Sequence, residues 1–504
     1  MTLDILLASV AQAQQLAPRS ARPLPILPWG PWLPDAPEYE APGCTRAEGV
    51  FPWGPFGYRA FAGLSVYSGA LDARCQGAAS VSGSDGFTYV FAADASKLYR
   101  NRDTTFVDQS RASGYTVAAD DFVEFLKFDN TMLACHIADP VQGMTINGTG
   151  PFANQFTSTL LPQARHMARV RRHLVLGNTR ESGVDYPTRV RWGQIDSIVN
   201  MDELAAQQSD AQDIDADGGH IQRIIGGQRA DIFQERAIQG MEYIGSPDFF
   251  RFDVVEHYRG TLAPYSVIPY GRYRAYLAAD GFFVWDGAQS VPISENKVTQ
   301  YFFDNANSSF YFRCHGAIFP RQRCLVWAFV STSAVGTNPN PDRLLIYHMP
   351  SGWWSMVQIT TQVLLNDLSK GLTLDQLDTI DPSIDALPFS LDSRYWTGGV
   401  PQIGAFDSSN QLNSFSGSNV AAVLETKSTQ LHPGRRTRVS AVKPLADGGT
   451  LTVALAAQAR LSDAQTFGAA VAQNVDGRAP LHSEAQYQAF QLNVASGGTW
   501  THTV

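Results

Sequence analysis

The chain has 504 residues, a formal net charge of −9, 44% hydrophobic and 17% charged residues. That hydrophobic share fills a core and excludes a disordered chain, and no run approaches the ~18 uncharged apolar residues of a membrane span. Net acidity also argues against tight wrapping of nucleic acid, whose affinity comes from phosphate neutralisation.

The opening run Met1-Thr2-Leu3-Asp4-Ile5-Leu6-Leu7-Ala8 lacks a basic n-region, so a short amphipathic helix to about Gln15 is expected rather than a signal peptide. Residues 18–57 are dense in proline and tryptophan, and Pro-Trp-Gly-Pro occurs twice, at Pro28–Pro31 and Pro52–Pro55. Proline fixes φ and removes donors, which predicts an extended segment. Its tryptophans cannot bury themselves locally. They dock either on the chain's own body, as a strap, or on a neighbouring subunit. The second reading makes Trp29, Trp32 and Trp53 the anchors of an assembly arm, and it is the expectation taken forward, with residues 1–57 as an N-terminal helix and docking arm.

Residues 58–420 read as short strands broken by turns, such as Val123-Glu124-Phe125-Leu126-Lys127-Phe128, turn Asp129-Asn130, then Met132-Leu133-Ala134-Cys135. An aromatic strand, a polar turn and a second apolar strand recur at Lys97–Val107, Phe283–Ile293, Leu345–Met356 and Gly404–Phe415. From Val284 to Ile346 is 62 residues and from Ile346 to Ala405 is 59. Such units pack around an axis as blades. The expected fold is therefore all-β: a β-propeller-like body of six or seven irregular blades, the other reading being two β-sandwiches. Ala153–Arg172 is a weak helix candidate, and Val363–Leu377 looks like a loop excursion. Residues 421–504, with a turn at Asp447-Gly448-Gly449 and strands Thr450–Ala457 and Tyr487–Val494, read as a small antiparallel β-unit closing the body.

Chemistry is sparsely signalled. There is no G-x-S-x-G, H-E-x-x-H or P-loop. Asp213-Ile214-Asp215-Ala216-Asp217-Gly218 begins like a calcium loop, but its twelfth position is Ile224, where a carboxylate is needed. Ser82–Tyr89 brushes against the aspartate box of propeller sialidases with spacings one residue short. Asp120-Asp121 is a carboxylate pair with nothing to set it across a cleft. Cys44, Cys75, Cys135, Cys314 and Cys324 are odd in number and lack C-x-x-C spacing, so they read as reduced, buried thiols. No catalytic residue, metal ligand or cofactor is expected. Basic residues are mostly arginine, 32 against 6 Lys, a side chain suited to interfaces, although a GC-rich genome gives the same bias. Arg165, Arg169, Arg171 and Arg172 form one cluster and Arg435, Arg436 and Arg438 another. Both are read as contacts to subunits or to DNA, with subunits favoured by the net negative charge.

Several stretches resemble one family: Thr105-Phe106-Val107-Asp108-Gln109-Ser110-Arg111, Arg189-Val190-Arg191-Trp192-Gly193, Ile232-Phe233-Gln234-Glu235-Arg236-Ala237-Ile238 and Tyr276–Gly287, followed by Pro292-Ile293. Together, and in this order, they resemble the tail nozzle, or packaged-DNA stabilisation, proteins of short-tailed bacteriophages, over roughly residues 55–500. The resemblance implies a non-catalytic virion subunit, assembled in the host bacterial cytoplasm and placed at the tail tip. It implies a six-fold ring below the tail adaptor, with tail fibres and a plug as further partners and genomic double-stranded DNA passing through. Six copies at −9 each total −54, and an acidic lining would let DNA slide without sticking. The competing readings are a propeller-type glycan-degrading enzyme and a host-receptor-binding tail protein.

Overall fold

Some strands of this chain are apolar at every position, and the reason is that both faces of their sheets are covered. In the computed structural model, Cys324–Phe329 is buried throughout. Leu325, Trp327 and Phe329 point into one core, and Cys324, Val326 and Ala328 into another. Thr88–Ala93 divides the same way, with Tyr89, Phe91 and Ala93 on one side and Val90 and Ala92 on the other. The side-chain period of two thus serves two hydrophobic layers per sheet. The structure describes residues 26–37, 43–54, 57–157, 159–369 and 399–503; the helix expected to about Gln15 lies outside them.

Seven antiparallel sheets arise this way, and each is a meander starting from an inner strand. The inner strands are Ala78–Ser82, Glu124–Phe128, Gln163–Val170, Ile221–Ile225, Ile268–Tyr270, His315–Phe319 and Val363–Leu368. They follow one another around a closed ring, with the turn Pro264–Ser266 meeting the inner strand of blade four, and one hydrophobic cluster fills each of the seven gaps between sheets. This is a seven-bladed β-propeller. Successive inner strands start 46, 39, 58, 47, 47 and 48 residues apart. Of the two spacings near sixty, that from Val284 to Ile346 joins the third strands of blades five and six, whereas that from Ile346 to Ala405 compared different ranks: Arg343–His348 is the third strand of blade six and Pro401–Phe406 the second of blade seven.

Three further expectations are corrected. Ala153–Arg172 is not helical: it holds the outer strand of blade two, Ala153–Asn154, and the inner strand of blade three. Val363–Leu368 is an inner strand rather than a loop; residues 370–377 lie outside the described set. Residues 421–504 do not close the ring. The closing strand is Ser65–Ala70, from the N-terminal side, which pairs antiparallel with Gln411–Ser414 as the outer strand of blade seven.

The C-terminal unit instead widens blade six. Its outer strand Trp353–Gln358 meets Cys44–Glu48 in parallel, and Ala422–Thr426, Tyr487–Val494, Leu451–Gln458 and Val471–Ala472 follow to make one nine-stranded sheet. We call the part beyond Trp353–Gln358 the wing. Gly49 sits where the chain turns out of the wing's first strand. Its φ of +71° and the Ala421 carbonyl oxygen, 1.9 Å from where a Cβ would sit, leave room only for glycine.

Candidate functional site

Inner strands leave one backbone edge facing the axis, so the residues there decide whether a propeller is a tube or a plug. Here they make a plug. Glu124 opens the inner strand of blade two and is buried. Its Oε2 accepts from His166 Nδ1 at 3.2 Å and lies 3.0 Å from Arg223 Nη1. The Arg223 guanidinium sits 5.0 Å from the centre of the Tyr265 ring. Tyr265 stacks on His315 at 5.3 Å and meets Phe122 at 4.8 Å. What remains beside these side chains is a cavity of about 230 Å³.

Burial lowers the pKa of His166 against the opposing pull of Glu124. Burial, together with Arg74, Arg223 and Arg313, takes His315 down to about 4, so its Nδ1–H donates to the Arg313 carbonyl at 2.9 Å as a neutral ring. Glu124 is committed to two partners, and the cluster acts as a fixed polar plug. Sequence reading missed it because Glu124, His166, Arg223 and His315 come from four blades. The available signal was a carboxylate at the head of a strand whose next two residues, Phe125 and Leu126, are apolar.

The residues singled out from sequence fall into three groups. Trp29 and Trp32 are buried in the chain's own core. Trp29 Nε1 donates to Thr503 Oγ1 and Trp32 Nε1 to the Thr45 carbonyl, both at 3.1 Å. Nearby, Asp35 accepts from the Gln300 and Tyr301 amides at 2.8 Å, satisfying the first turn of the helix Thr299–Asn305. Over its described residues the Pro/Trp segment is thus a strap on its own body, which corrects the arm reading for Trp29 and Trp32. The physical reason is that blades five and six and the wing together offer an aromatic core deep enough to take both indoles. Trp53, from the second tetrad, is 44% exposed.

The first arginine cluster is engaged within the chain. Arg165 pairs with Asp121 at 2.9 Å, Arg169 with Asp129 at 3.0 Å, and Arg172 with Asp196. Arg171 lies over Tyr243. Arg435, Arg436 and Arg438 are exposed on the wing, where Arg436 Nη2 donates to the Glu484 carbonyl.

The remaining motifs are structural turns. Asp85 closes the aspartate-box-like hairpin by accepting from Tyr89 Oη at 2.6 Å. In the acidic turn, Asp213 pairs with Arg189 at 2.7 Å and Asp215 accepts from the Asp217 amide. All five cysteines are buried free thiols. Among the described residues no group of His, Cys, Asp and Glu has a metal-holding arrangement, and no helix is long and apolar enough to cross a membrane.

No family model matches this chain, and no curated protein matches it. Solved structures similar to it are of low identity. BBS1N in complex with ARL6DN aligns with a TM-score of 0.40 at 9% identity, covering 71% of this chain and 96% of that one. The Neurospora crassa Pan2 WD40 domain gives 0.39 at 6%, over 69% and 94%. BamB from Moraxella catarrhalis gives 0.35 at 10%, over 72% and 92%. These likenesses carry no argument about function.

Proposed function

We propose that this chain is a non-catalytic structural subunit of a short-tailed phage, one segment of the nozzle ring at the tail tip. The observation that carries the reading is the wing. The ring is closed by its own seventh blade, yet the chain continues blade six through five further strands into a broad lateral sheet. A lateral extension on one side of a disc is what a head-to-tail ring uses, because each copy must offer two different faces. The plugged axis supports the same reading. With Glu124, His166, Arg223, Tyr265 and His315 packed across the axis, a DNA conduit is expected between copies rather than through one propeller. The ordered stretches that resemble nozzle proteins supply the remaining support, and they fall on propeller elements: Arg189–Trp192 in the third strand of blade three and Ile232–Gln234 in the second of blade four.

The test is assembly. Mixed with the tail adaptor of its virion, the purified chain is expected to form a ring of six on the adaptor, seen by mass measurement and by imaging down the axis. A stable monomer that ignores the adaptor and cleaves bacterial surface glycan overturns the reading.

A further inference from the structure

A second cavity, of about 440 Å³, lies between the propeller and the strands that join strap to wing. Phe51, Phe61, Phe319, Phe415 and Trp500 line it, and Phe61 sits at the centre of an edge-to-face group, 6.4 Å from Phe51, 6.4 Å from Phe319 and 5.4 Å from Phe415. Its size and aromatic walls are those of a ligand pocket.

Three of its lining residues carry buried polar atoms with no hydrogen-bond partner: Arg59 Nε, Trp500 Nε1 and Gln322 Oε1. Buried polar groups are nearly always satisfied, so three orphans on the residues that line one cavity call for an occupant. Two are donors and one is an acceptor. Arg59 is also a cation that makes no ion pair among the described residues. Asp447, whose charge acts on it, is turned toward Thr501 and His502, from whose amides it accepts at 2.8 and 3.0 Å. The guanidinium is held instead against the face of Trp53, 2.9 Å from the ring centre. That contact gives the exposed tryptophan of the second tetrad a role: it fixes Arg59 at the pocket mouth.

We propose that this pocket captures the C-terminal residue of a partner polypeptide whose last side chain is apolar. The complement of two N–H donors, one of them on a cation, is a carboxylate, and the complement of the Gln322 oxygen is the amide N–H beside it. A chain terminus presents both groups on one residue, with an apolar side chain to fill the aromatic walls. The pocket chemistry stands whether or not the chain is a nozzle subunit.

Fluorescently labelled five-residue peptides ending in Gly-Phe test it on the full chain by polarisation. The free acid is expected to bind saturably. Amidating the terminus, or replacing the last Phe by Ser, is expected to weaken binding by ten-fold or more, and Arg59→Gln on the protein by a similar factor. Because the peptide changes leave the protein untouched, a poorly folding variant does not spoil the test. Equal binding of acid and amide overturns the proposal, as does no saturable binding by any peptide. Tighter binding of decanoate than of the peptides also overturns it, since the pocket would then be a lipid-anion site.

Discussion

Blades one to five and the wing were assembled by opposite rules. Each of the first five blades is a run of four strands consecutive in sequence, hydrogen-bonded in order. The wing interleaves Cys44–Glu48 with strands from 422–494, and its core joins Trp29 and Trp32 to Trp327, Trp354 and Trp500. Local meanders carry a small loop-closure cost, whereas the wing must close loops of several hundred residues before its contacts form. The difference teaches that the strap and the wing are one cooperative unit with blade six, even though the sequence places them at opposite ends.

The strongest way to break that comparison is truncation. A chain ending at residue 420 loses four strands of the nine-stranded sheet, and with Leu424, Val453 and Leu492 gone it uncovers the core around Trp29, Trp32 and Met356. It is expected to be insoluble or to lack a cooperative transition by calorimetry; a soluble, cooperatively folded propeller would make the wing a separate domain. Within the strap, Trp29→Ala is expected to cost about 3–5 kcal/mol, as for other buried aromatics. Trp53→Ala, half exposed, is expected to cost under ~1 kcal/mol. Equal effects in denaturant titrations would return both tryptophans to a single role.

Acid should act on the ring. His136, His166, His173, His315 and His348 lie in blades and are held below the ordinary histidine value, chiefly by burial. For His315 the folded value is about 4 against 6.5. At pH 7 both folded and unfolded forms are neutral. Between pH 6.5 and 4 the unfolded chain takes a proton that the folded chain refuses, so stability falls as pH falls, by at most on the order of 3 kcal/mol for this one site. His315→Gln is expected to flatten that slope in denaturant titrations at pH 7 and 4.5, and an unchanged slope would remove His315 from the account. At the junction of the two regions, Gly49→Ala should cost about 2 kcal/mol from positive φ and the Ala421 clash, read as a lower melting temperature.

Much of the propeller was legible. Alternating apolar strands around Asp129-Asn130 and Ala279–Gly281 mark real hairpins of blades two and five, and the all-β class follows from them. Blade rank was not legible. The closing strand Ser65–Ala70 lies more than 300 residues from its partner, and its sequence, Ser-Val-Tyr-Ser-Gly-Ala, carries no mark of that pairing. The arginine cluster at Arg165–Arg172 was legible as a cluster but not as a set of intrachain pairs, because its carboxylates come from the strand-connecting turns at Asp121, Asp129 and Asp196.

By itself the sequence determined what depends on neighbours a few residues away: strands, turns, the extended proline-rich segment and the lack of known catalytic motifs. Tertiary structure alone decided which tryptophan of two identical tetrads is buried, how many blades close the ring, and that Arg59, Gln322 and Trp500 meet at one pocket. Those outcomes depend on which distant surfaces are left uncovered once the blades have packed, and local propensity carries no information about that.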